Sequence, residues 1–183
     1  MKETGTLRIV LTSLVAALVC LATMIIRVPS PTGGYLNLGD GVALTGAYLL
    51  GPAWGAVAAG LGAMLADILA GYAAYAPGTL VIKGLAALIA GALFRVFRRR
   101  SGRPALPMLL SGLCAELWMT LGYLLYTIVC LSYGPGAVAE IPGNLAQGAA
   151  GIAVALLLTP ALLKHRELRE MLEGLSNEQR PGR

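Results

Sequence analysis

The placement of charge decides what this chain can fold into. Eighteen residues pass from Ile9 to Ile26 without a charged side chain, and the fourteen basic and nine acidic residues of the sequence gather mostly in three short clusters. Charged residues make up 13% of the chain, against about 25% in a soluble domain. So few charges cannot cover a surface that faces water, and the mean hydropathy of +0.74 agrees. The expected class is an all-α integral membrane protein. A cytosolic enzyme, a secreted disulfide scaffold and a nucleic-acid-binding module are excluded on the same ground. The net charge of +5 comes from basic clusters between and after apolar segments, where cytoplasmic membrane loops carry Lys and Arg.

Six apolar segments are expected, over about residues 7–26, 38–50, 53–70, 78–97, 105–131 and 143–163. The second is short: roughly 13 residues at 1.5 Å each fall below a ~30 Å hydrocarbon core. Breakers separate the segments, at Pro29 to Gly34, at Gly51-Pro52, over Gly71 to Pro77 and over Ser132 to Pro142. The first segment exceeds the length of a signal-peptide core and is read as a retained transmembrane helix. With six crossings the N-terminus, the Arg95–Arg103 cluster and the tail from Lys164 share one side. That side is then cytoplasmic, because the other loops hold Arg27 as their sole basic residue. Residues 1–163 form the membrane domain, and 164–183 a charged cytoplasmic tail expected to be a short surface helix that then loses order.

Polar residues inside the membrane are expensive, and here they concentrate toward the outer half. Asp40 opens segment two, Asp67 ends segment three, Lys83 lies about five residues into segment four, and Glu116 sits near mid-depth in segment five. An Asp67–Lys83 pair joining neighbouring helices is one expectation, and a protonated, hydrogen-bonded core acid is one for Glu116. Glu116, Thr120, Tyr123 and Thr127 share a helix face, as do Asn144 and Gln147 at the outer end of segment six. Tyr72 and Tyr75 precede segment four. An amide pair, a carboxylate and aromatics converging from one side make a pocket for a small, flat, polar molecule, open outward and blocked below.

Other chemistries lack their residues. No P-loop or HExxH motif occurs and no Ser–His or Cys–His partnership is available, so no catalysis is expected. Cys20, Cys114 and Cys130 lie in apolar stretches with no CxxC, and His165 alone cannot hold a metal. Neither a metal nor a cofactor is expected. Small residues mark packing faces, among them Ser13, Ala16, Ala17 and Cys20 on segment one.

Several motifs together resemble one family. Pro31-Thr32-Gly33-Gly34-Tyr35-Leu36-Asn37-Leu38-Gly39-Asp40, Leu50-Gly51-Pro52, Ala66-Asp67, Gly71-Tyr72, Tyr75-Ala76-Pro77, Lys83-Gly84 and Pro142-Gly143-Asn144-Leu145-Ala146-Gln147-Gly148 look like the substrate-binding S component of energy-coupling-factor (ECF) transporters. The chain is most similar to the branch associated with riboflavin, hydroxymethylpyrimidine and pyridoxine uptake. The resemblance covers about residues 7–163. It implies six helices, an outward pocket for a vitamin or its precursor, and docking on a transmembrane scaffold subunit with two cytoplasmic ATPases. The family's alanine-xxx-alanine signature on the first helix stands here as Ala16-xxx-Cys20 or Ser13-xxx-Ala17.

The resulting expectation is a binding subunit of an ATP-driven importer in a prokaryotic plasma membrane. Glu116, Asn144, Gln147, Tyr123, Lys83 and Tyr75 are its candidate ligand contacts, with Asp40 and Asp67 behind them. Ser13, Ala16, Ala17 and Cys20 are the candidate docking residues. Two rivals stay open: an autonomous ion-coupled transporter using Glu116 or Asp67 as a proton relay, and a structural membrane subunit whose polar residues only join helices.

Overall fold

A computed structural model describes residues 2–30 and 34–178. Its long helices are α1 (Lys2–Ile25), α3 (Pro52–Leu69), α4 (Ala76–Arg98), α5 (Ala105–Val129) and α6 (Ile141–Leu163). All five carry stretches long and apolar enough to cross a membrane, which makes this a multi-pass membrane protein. The helix expected as the second crossing, α2 (Gly39–Leu50), has 12 residues, about 18 Å of rise. Nine of those residues are buried, because α2 sits inside the bundle against α1, α3, α4 and α6. Around it the packing order is α1, α3, α4, α5, α6. Leu44 of α2, Val19 of α1 and Met108 and Met119 of α5 fill the core, while Ile9, Leu61, Val81, Leu117 and Leu157 face outward.

Glycine sets two of the approaches. Gly51, at φ 85°, turns the chain between α2 and α3, and Pro52 then starts α3 where a missing N–H costs nothing. A Cβ on Gly62 of α3 would stand 2.3 Å from the carbonyl oxygen of Ala16, so α1 and α3 touch backbone to backbone there.

Two expectations need correction. The helical bundle carries a small antiparallel hairpin, β1 (Arg27–Pro29) with β2 (Tyr35–Asn37), paired Arg27 with Asn37, Val28 with Leu36 and Pro29 with Tyr35. Proline locks φ and lacks an N–H, so Pro29 fits an edge strand but would break a helix. Pro31, Thr32 and Gly33 of the expected breaker loop lie outside the described residues. The 132–142 stretch is likewise ordered, as a 3-10 helix over Gly134–Glu140 that leads directly into α6.

The tail forms α7 (Arg166–Glu178). Leu168, Leu172 and Leu175 recur at helical spacing on its less exposed face, Leu175 is buried, and Arg8 of α1 donates to the Leu175 carbonyl. The expected loss of order beyond this helix falls on residues 179–183, outside the described part. The bundle thus has a hairpin end and, opposite it, an end carrying α7.

Candidate functional site

At the hairpin end a cavity of about 30 Å³ lies between the hairpin and the helices. Its centre is a chain of buried polar groups. Lys83 Nζ of α4 donates to Asp40 Oδ1 at 2.5 Å, and Gln147 Nε2 of α6 donates to Asp40 Oδ2 at 2.6 Å. The backbone N–H of Asn37 then donates to Gln147 Oε1 at 2.7 Å. One carboxylate and one amide therefore join α2, α4, α6 and β2. Asp40 lies in the first turn of α2, where unpaired backbone N–H groups favour negative charge. Both members of the ion pair are almost fully buried, so each depends on the other for its charge to be tolerated.

Around this chain the walls are also polar. Tyr35 of β2 donates its hydroxyl to Asp67 Oδ1 of α3 at 2.7 Å, and its ring lies 4.6 Å from that of Tyr72. Burial, and then the negative charge of Asp67, hold the Tyr35 phenol well above its ordinary pKa, so it stays a neutral donor. Thr79 of α4 and Tyr123 of α5 share a hydrogen bond of 2.9 Å, and Lys83 Nζ stands 5.5 Å from the Tyr123 ring centre. Glu140 accepts from Ser30 at 3.0 Å and from Thr127 at 3.2 Å, tying the 3-10 helix to the hairpin and α5.

The expected site residues fall into three positions. Lys83, Tyr75, Asp67, Tyr123, Asn144 and Gln147 line the cavity. Asp40 stands behind it, reached through Lys83 and Gln147. Glu116 is buried beneath, where a Cβ on Gly148 would come within 2.7 Å of its own Cβ, and it is not among the lining residues. Its Oε2 has no hydrogen-bond partner among the described residues, and neither has Asp67 Oδ2.

The expected Asp67–Lys83 pair is not formed: Lys83 is bound to Asp40, and Asp67 to Tyr35. α3 and α4 run antiparallel about the 70–75 turn, which brings Thr79 level with Asp67. Lys83 then lies one turn deeper, at the start of α2. Tyr35, Thr79, Ser30 and Glu140 also line the cavity and were missed in the sequence. Glu140 carried a signal, being the single charge between Leu117 and Leu163.

On the flank, Ser13, Ala16 and Ala17 line an apolar groove of about 370 Å³ with Trp54, Val57, Leu61 and Leu65 of α3. Cys20 is instead turned into the bundle, 3.9 Å from the Met24 sulfur.

Comparison with known proteins agrees with this architecture. A solved structure of the S component of a bacterial ECF transporter superposes with a TM-score of 0.67 at 20% identity, covering 87% of this chain and 97% of that one. An uncharacterised protein of Pyrococcus woesei, described by its position in the gap 3′ region, is 40% identical over 138 residues, 74% of this chain and 88% of that relative. The family described as "ECF-type riboflavin transporter, S component" matches residues 3–164. With nearly the whole membrane bundle inside that match, the chain belongs to the S components of ECF transporters, their substrate-binding subunits.

Proposed function

We propose that this chain captures a vitamin or related small heteroaromatic precursor at its hairpin end. It delivers that ligand across the plasma membrane of a prokaryote, docked on a transmembrane scaffold subunit that carries two cytoplasmic ATPases. The observation that carries the reading is the buried Lys83–Asp40–Gln147 chain beside a cavity roofed by the hairpin. Merely joining helices does not require a buried ion pair, which apolar residues of the same volume replace with equal or better stability. Asn144, Gln147, Tyr123, Tyr75 and Lys83 are the ligand contacts, with Asp67 and Asp40 supporting them and Glu116 below. The groove at Ser13, Ala16 and Ala17 is the scaffold-facing surface, with Cys20 packed behind it.

The bundle crosses six times, α2 counted, with both termini and the 99–104 loop in the cytoplasm. In a background lacking the native cysteines, a cysteine at position 134 is expected to label from outside intact cells and one at 101 is not. The reverse pattern overturns the orientation.

One observation favours the ion-coupled alternative: Asp67 and Glu116 each keep a carboxylate oxygen without a hydrogen-bond partner among the described residues. Proteoliposomes separate the two. A ligand identified by mass spectrometry in the purified chain is expected to accumulate only when scaffold, ATPases and ATP are present. Concentrative uptake by the chain alone under a proton gradient establishes the alternative instead.

A further inference from the structure

The buried acids of the hairpin end outnumber its buried bases. Four carboxylates, those of Asp40, Asp67, Glu116 and Glu140, are each buried in or directly beneath the cavity wall. One buried cation, Lys83, faces them and is bound to Asp40 at 2.5 Å. The next, Arg27, is an exposed residue whose guanidinium stands 6.0 Å from the Tyr35 ring centre. Tyr35 serves one oxygen of Asp67, Ser30 and Thr127 serve Glu140, and Thr79 and Tyr123 bond to each other. Among the described residues Asp67 Oδ2 is left without a hydrogen-bond partner, on a residue 5% exposed that lines the cavity.

A neutral hydroxyl from a ligand meets Asp67 Oδ2 but leaves the acids in excess. An anion adds to that excess. We infer that the ligand taken by this site is a small, flat, cationic nitrogen base, its N–H edge received by Asp67 beside Tyr35, Thr79 and Tyr123. This rests on the reading of the hairpin end as the substrate site, and it names the substrate's chemical class. A carboxylate meets an amidinium-type edge through charge-assisted hydrogen bonds, the strongest that such a wall can offer. The tyrosine rings that line the cavity suit a cation as well as a flat ring.

Four probes test this on the purified full-length chain by calorimetry: benzamidine, benzamide, benzoate and riboflavin. Benzamidine and benzamide share a shape and differ in charge. Benzamidine is expected to bind at least about tenfold tighter than benzamide, with benzoate and riboflavin weaker still. Asp67→Asn keeps an acceptor for Tyr35 and is expected to erase most of that preference. Glu140→Gln removes the charge and keeps an acceptor for one of Ser30 and Thr127, which donate to different carboxylate oxygens; it is expected to reduce the preference severalfold, which keeps the test alive if Asp67→Asn does not fold. Riboflavin binding tighter than benzamidine overturns the cationic class and leaves the substrate-site reading standing. Equal binding of benzamide and benzamidine, or a preference unchanged in both variants, does the same. A chain that binds none of the four removes the class and the site together.

Discussion

The two ends of the bundle use polar side chains in different ways. In the half below the site, Thr45 and Ser111 return their hydroxyls to carbonyls four residues back, Gly41 and Pro107. Within the bundle there, links between helices join neutral groups, Tyr48 to the Met108 carbonyl at 2.9 Å and Thr159 to Thr45 at 3.4 Å, and the charged Arg8 reaches the Leu175 carbonyl of the tail helix. At the hairpin end the links span the chain and involve charge: Asp40 to Lys83, Asp40 to Gln147, Glu140 to Ser30. Bonds to a residue's own helix tell the fold little, since any helix in lipid satisfies itself. Bonds between distant charged groups hold one arrangement and no other. The contrast separates the half that packs from the half where we propose that the ligand binds.

The strongest way to break the contrast is Asp40→Ala. It leaves Lys83 as a buried charge without its partner and takes an acceptor from Gln147, and is expected to cost about 3–5 kcal/mol. Unfolding in a denaturing detergent titration measures it, and adding Lys83→Met is expected to recover most of the loss. A single-mutant cost near that of a neutral hydroxyl would show that the pair is no more than helix packing.

Tyr35→Phe is next. It removes a hydrogen bond to a carboxylate, worth about 1.5–3 kcal/mol, and releases one of the hairpin's ties. Hydrogen exchange over residues 27–37 is expected to quicken while the amides of α5 do not change. Uniform quickening across the bundle would mean that the hairpin is part of the core and not a roof.

Tyr48→Phe samples the other half. Its bond to the Met108 carbonyl is neutral, so a loss of about 0.5–1.5 kcal/mol is expected, with ligand affinity untouched. A loss of affinity comparable to that from Gln147→Ala would erase the distinction between the halves.

The sequence made the long helices legible because a charge-free run of that length has few other uses. It also showed which polar residues gather at one end, and six of the eight proposed contacts do line a single cavity. Pairing was not legible. Depth along a helix can be counted from a sequence, but which helices are neighbours cannot, and so Lys83 was assigned to Asp67 when α2 brings Asp40 beside it. The hairpin escaped for another reason. Strands of three residues, with Pro29 at one end, carry no period, and their stability comes from Tyr35, Ser30 and Asn37 reaching partners on α3, the 3-10 helix and α6. Glu140 shows the opposite failing: an isolated acid in a long neutral stretch was visible and was passed over.

Gln147 has a consequence of its own. A side-chain amide is directional, and here its oxygen faces the hairpin backbone while its nitrogen faces Asp40. Rotating the amide by half a turn sets oxygen against carboxylate and N–H against N–H, so no second orientation serves both neighbours. The residue therefore works as a keyed joint. Whatever draws its nitrogen away from Asp40 also unseats Asn37, and whatever lifts the hairpin frees the amide to turn. By reciprocity, a ligand that recruits Gln147 loosens the roof to the same degree that an open roof favours the ligand.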